Sequence, residues 1–115
     1  YTLAVADSAA GLQSSGTGNP VIADASTGKA TSVTWPGAPK YGYTVTGTGA
    51  TIDAAFSGSK YAGFTSTGET IATRAAATGG TADTISITNR VAIDYTVASG
   101  GYTDTLTYTV TPNYN

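Results

Sequence analysis

The side chains able to do chemistry are few and scattered. Asp7, Asp24, Asp53, Asp83, Asp94 and Asp104 are dispersed along the chain, and Glu69 is the one glutamate. Neither the ligand spacing of an EF-hand loop nor a paired-acid motif occurs. Asp94 and Asp104 would face each other if the segments carrying them form a hairpin, and there they could share a Ca²⁺ with backbone carbonyls. Two solvated acids are the simpler expectation, so no metal site is assigned. Cys, His and Met are absent, which removes thiolate and imidazole ligands and the commonest general base. No nucleophile–base constellation remains, and the expectation is a protein that is not an enzyme and has no cofactor. The glycine loops "GTGNP" and "TGTG" lack a following Lys-Ser/Thr, so a phosphate-binding loop fails. Lys29, Lys40 and Lys60 invite the idea of an intramolecular isopeptide bond, but that needs a buried Lys beside an amide or acid and a catalytic carboxylate. Solvated lysines are the default.

The aromatic residues are the other candidates. Trp35 and eight tyrosines could stack on sugar rings. Parity assigns Tyr95 and Tyr108 to a core instead, and leaves Tyr1, Tyr102 and Tyr114 for interfaces, where tyrosine is enriched. Only five Lys and Arg are present and the net charge is −2, so no basic patch for nucleic acid exists. No stretch approaches the roughly 20 apolar residues of a membrane-spanning helix. The opening Tyr1 suggests a secreted product from which a signal peptide has been removed.

The elements that must hold these residues are strands. Leu, Ile, Val and Phe make up only 18 of 115 residues, a fraction that with high net charge would mean disorder. Charge is low, and Thr, Val, Ile and Tyr favour a pleated surface. Alternation of period two recurs along the chain. Tyr1, Leu3 and Val5 share one face of a first strand, residues 1–6. Val33 pairs with Trp35, while Tyr41, Tyr43 and Val45 oppose Thr44, Thr46 and Thr48. "TIDAAF" and "YAGF" are shorter apolar runs, and "TIATRAAATGG" reads as strand and turn more than helix. Ile85, Ile87, Val91, Ile93, Tyr95 and Val97 share one parity in the longest run, interrupted by Asn89. From Thr103 to Thr111 every second residue is threonine, with Leu106, Tyr108 and Val110 between them. Ser99-Gly100-Gly101 between these last two runs predicts a hairpin. The regularity of the closing run predicts a place inside a sheet.

These patterns predict an all-β protein, an antiparallel β-sandwich of Ig-like or jelly-roll-like kind. Two parts are expected. Residues 1–20 comprise a strand and a Ser/Gly/Ala-rich flexible tether, and residues 21–115 form the sandwich. A strand on a tether can fold into its own sheet or reach into a neighbour's, so Tyr1, Leu3 and Val5 are the candidate donor strand. Ile85, Ile87, Val91, Ile93, Val97, Leu106, Tyr108 and Val110 are the candidate acceptor core.

From "YGYTVTGTG" to the closing "GYTDTLTYTVTPNY", residues 41–114, the chain resembles the C-terminal part of small secreted β-proteins of bacterial surfaces. The "YTDTLTYTVT" end is similar to the last strand of spore coat U-like pilins. TasA-like and archaeal bundling-pilin-like filament subunits share the sandwich logic. This resemblance implies an extracellular structural protein that forms a homopolymer, a filament or pilus on the cell surface, by donor-strand exchange. Adhesion and biofilm formation are the roles such polymers serve, and glycan or cell-surface contacts are a further class of partner. Unlike spore coat U-like proteins the chain has no cysteine. The rival expectation is a monomeric Ig-like adhesin or carbohydrate-binding module of a surface protein.

Overall fold

The computed structural model describes residues 1–113. Eight strands occur among them: β1 (Thr2–Asp7), β2 (Leu12–Gln13), β3 (Val21–Ile22), β4 (Lys40–Thr48), β5 (Thr51–Ile52), β6 (Glu69–Thr73), β7 (Thr84–Ala92) and β8 (Leu106–Thr111). One sheet has the order β5-β6-β1-β8, and a narrower one pairs β4 with β7. The strands pair antiparallel, and the protein is the β-sandwich that the alternation predicts.

Period-two residues explain how the layers meet. Leu3 and Val5 point inward from β1, Ile71 from β6, and Tyr41, Tyr43 and Val45 from β4; all six are at most 8% exposed. Phe56 and Phe64 fill the space between them. Tyr43 stacks on Phe64 with ring centroids 4.2 Å apart, and Phe56 lies 5.2 Å from the same tyrosine. Small residues permit that density. At Gly63 a β-carbon would lie 2.0 Å from the Ser26 carbonyl oxygen, so the aromatic cluster depends on bare backbone there. Phe56 is delivered by a 3-10 turn over Ala54–Phe56, capped where the Asp53 carboxylate accepts the Ala55 N–H at 2.9 Å.

Several expectations are corrected. The two C-terminal runs do not form a hairpin: β7 pairs with β4, and β8 pairs with β1 in the other sheet. The reason is local. At Asp94 the carboxylate accepts the Thr96 N–H and hydroxyl, and the Val97 N–H returns to the Asp94 carbonyl. This turn ends the extended run at Ala92, and the chain crosses to the opposite layer before β8. Asp94 is therefore occupied in its own turn. The closing run is not interior either, because β8 is an outer strand of its sheet and β1 the inner one.

The stretch expected as a tether is laid on the body. Leu12 and Gln13 pair with Ile22 and Val21, and Gln13 exchanges backbone hydrogen bonds with Thr103. The Gly11 N–H donates to the Asp24 carboxylate at 2.9 Å. "TIATRAAATGG" contributes β6 up to Thr73, as strand. Beyond it, Arg74 gathers the loop by donating to the carbonyls of Gly49, Ala76 and Ala77.

Candidate functional site

The two sheets are unequal in width, and that inequality defines the site. Val110 stands opposite Leu3 in the β1–β8 register, Tyr108 opposite Val5, and Leu106 opposite Asp7. Directly opposed residues share a face, and Leu3 and Val5 are buried. Leu106, Tyr108 and Val110 therefore sit on the inward face of β8. Across from them, Ile87 is opposite buried Val45, and Val91 is opposite buried Tyr41, so β7 also turns this parity inward.

Inward does not mean covered. Tyr108 is 44% exposed, Val91 51%, Val110 63% and Ile93 67%. A cleft of about 340 Å³ opens here, lined by Tyr1, Leu3, Ile85 and Val110 with Thr78 and Asp83. Among the described residues β7 has no strand on its outer side, and neither does β8. The two-stranded layer leaves Tyr108 and Val110 of β8 largely uncovered. What remains is an open flank with apolar residues on its floor and an unpaired backbone ladder along its side.

The predicted acceptor residues distribute as follows. Ile85, Ile87, Val97 and Leu106 pack partly against the core, while Val91, Ile93, Tyr108 and Val110 lie exposed along or near the flank. Assigning Tyr95 and Tyr108 to the core is corrected: Tyr95 is 98% exposed at the turn beyond β7, and Tyr108 is under the uncovered strip. Tyr1, Leu3 and Val5, predicted to plug a neighbour, lie within the fold of their own chain, Leu3 and Val5 on a strand paired on both sides. Val5 is buried in the core, Leu3 and Tyr1 form the floor of the cleft, and the Tyr1 hydroxyl donates to Asp83 at 2.7 Å. Tyr114 lies outside the described residues. Parity revealed which residues point inward. It gave no sign of the missing cover, because cover is a property of the opposite sheet.

The remaining candidates are less open to ligands. Arg90 lies over the Trp35 ring at 4.3 Å, and Tyr61 meets that ring edge-on at 5.0 Å. The Trp35 face is thus already used within the chain. Lys29 is not simply solvated, since its ammonium pairs with Asp53 and also donates to the Thr70 carbonyl. The hydrogen bond from Lys29, reinforced by the Ala55 N–H, holds the Asp53 carboxyl below its ordinary range. An ionised carboxylate is a poor acyl partner for an amide bond to Lys29. Lys40 donates to the Asp24 carbonyl at 3.3 Å.

No helix among the described residues is long and apolar enough to cross a membrane. No protein-family model matches the chain, and neither a curated protein nor a solved structure matches it.

Proposed function

We propose that this chain is the structural subunit of an extracellular, pilus-like filament on the cell surface, whose copies join by strand complementation at the open flank beside β7. The observation that carries this reading is the row of exposed inward residues, Val91, Tyr108 and Val110, next to a β7 edge that has no partner strand among the described residues. An unpaired edge bordered by apolar side chains pairs readily with another extended segment. The occupant is a strand from another copy. Backbone hydrogen bonds satisfy the ladder, alternate apolar side chains cover the strip, and a net charge of only −2 leaves little repulsion between packed copies.

The acceptor role expected for the β7 and β8 residues is kept in this reading, and the donor role moves. Removing β1 from its own sheet would open two ladders and expose Leu3 and Val5, whereas the flank is accessible without any opening. The rival carbohydrate-binding reading gains no support from Trp35, because a sugar ring would have to displace Arg90.

The test is the assembly state. Sedimentation velocity and electron microscopy of the purified chain should show polymers growing with concentration. A monodisperse monomer near millimolar concentration refutes the reading. Thr2 and Thr111 face each other in the register, so the double variant Thr2→Cys/Thr111→Cys should close a disulfide within one chain and still polymerise. A ladder of cross-linked copies would show instead that β1 is the exchanged strand.

A further inference from the structure

A second feature lies at the Asp7 end of β1. Asp7 ends that strand, Asp24 follows β3, and Asp104 precedes β8. Register brings them together, with Asp7 opposite Leu106 and Asp24 bridged to Tyr41 of β4. Asp7 is only 8% exposed, and both of its carboxylate oxygens are enclosed without a hydrogen-bond partner among the described residues. Oδ1 of Asp24 and Oδ2 of Asp104 are in the same condition. Of their other oxygens, Asp24 Oδ2 accepts the Gly11 N–H and Asp104 Oδ1 the Ser8 hydroxyl at 3.4 Å, while the Phe64 N–H also bears on Asp24 and the Tyr41 hydroxyl on Asp104.

Four enclosed acceptor oxygens on three neighbouring acids are costly. A buried ionised carboxylate needs a cation or several donors. Protein cations do not resolve this. The ion pairs among the described residues are Lys29–Asp53 and Arg74–Asp83. Lys40 reaches the backbone carbonyl of Asp24 and no carboxylate of this group. Asp7 and Asp24, though not Asp104, also line a cleft of about 520 Å³ with Ser26, Thr27, Lys40, Thr65 and Ser66, so an ion has an entry path and further oxygens nearby, with the Lys40 ammonium as its competitor.

We propose that Asp7, with Asp24 and Asp104, binds a hard divalent cation of the Ca²⁺ type at the end of β1. The donors are all oxygen, with no nitrogen or sulfur ligand in the chain, which selects Ca²⁺ or Mg²⁺ over zinc. Ca²⁺ fits better because it accepts irregular sets of carboxylates, carbonyls and water, whereas Mg²⁺ demands near-octahedral geometry and sheds water reluctantly. Among the described residues no three such side chains already form a metal-binding group. The carboxylates close on the ion as it enters, and clefts of this kind suit weak, exchangeable sites.

The test uses the whole chain, stripped with chelator. Adding Ca²⁺ to about 100 times its Kd should raise Tm by about 10 °C, and Tb³⁺ should bind one per chain with luminescence excited through Tyr41. Asp7→Asn should abolish both responses while melting no lower than the wild type in chelator, because it removes an unpaired buried charge. Asp104→Asn serves as a second variant with the same expectation. No Tm shift and no Tb³⁺ signal at about 10 mM ion, above the range of weak extracellular sites, overturns the proposal. So does a full Ca²⁺ response that survives both substitutions.

Discussion

The open flank permits a quantitative prediction. Val91, Ile93 and Val110 are 51%, 67% and 63% exposed in the isolated chain, so each has more than half its burial still to gain. Complete burial of an aliphatic side chain contributes about 1.5–3 kcal/mol, which leaves about 1 kcal/mol at each of these positions. Changing all three to threonine keeps the β-branch that suits an extended backbone and removes most of that gain. On the proposed strand complementation the loss is about 3 kcal/mol per junction, or roughly a 200-fold rise in the concentration at which polymers appear. The single chain should hardly notice, because exposed positions change stability by about 0.5 kcal/mol or less. Sedimentation velocity over a dilution series reads the first quantity, and thermal melting of the dilute monomer reads the second. Polymerisation of the triple variant at the wild-type concentration would refute the reasoning. A fall of more than about 10 °C in monomer Tm would refute it from the other side, by showing these residues to be core.

Other parts of the fold are open to similar tests. The Tyr43 hydroxyl is buried without a partner among the described residues, so Tyr43→Phe should raise stability by about 1 kcal/mol, measured as a higher urea midpoint at unchanged slope. Gly63→Ala should cost about 1–3 kcal/mol by overpacking against the Ser26 carbonyl, seen in the same denaturation curve. Because Lys29 lowers the Asp53 carboxyl below its unfolded value, that pair contributes stability above pH ~4, which is lost as pH falls through the folded-state value. The Tm difference between wild type and Asp53→Asn should therefore be steady near neutrality and shrink below pH ~4. Removal of residues 1–8 deletes one of the two inner strands of the wider sheet, and the product should lose its cooperative melt rather than remain a folded monomer.

Much of the layer structure could be read from the residues. The alternation of Tyr41, Tyr43 and Val45 gave a strand and its buried side, and the threonine repeat gave β8 with the right residues inward. Pairing was less legible. Two glycines at 100 and 101 suggest a hairpin, yet the Asp94–Thr96 hydrogen bonds turn the chain earlier and send it to the other layer. A side-chain bond over two residues marks where the run turns, and alternation carries no sign of it. The Ser/Gly/Ala composition of residues 8–20 suggested a tether, but backbone bonds to Thr103 and the Asp24 carboxylate hold it down. Composition does not show long-range partners. The acidic group was invisible for the same reason, since Asp7, Asp24 and Asp104 lie on three distant segments that only the sheet register unites. The inward parity of Leu106, Tyr108 and Val110 was legible, and their exposure depended on the width of the facing sheet.

The antiparallel pairing of β1 with β8 sets Thr2 beside Thr111, so both ends of the folded body emerge at one pole. Tension applied through those ends would unzip the pair rung by rung, with each hydrogen bond loaded alone and none sharing the force. A mechanically robust fibre made of such units must route its load around that seam, through side-by-side grips in which many rungs resist shear together.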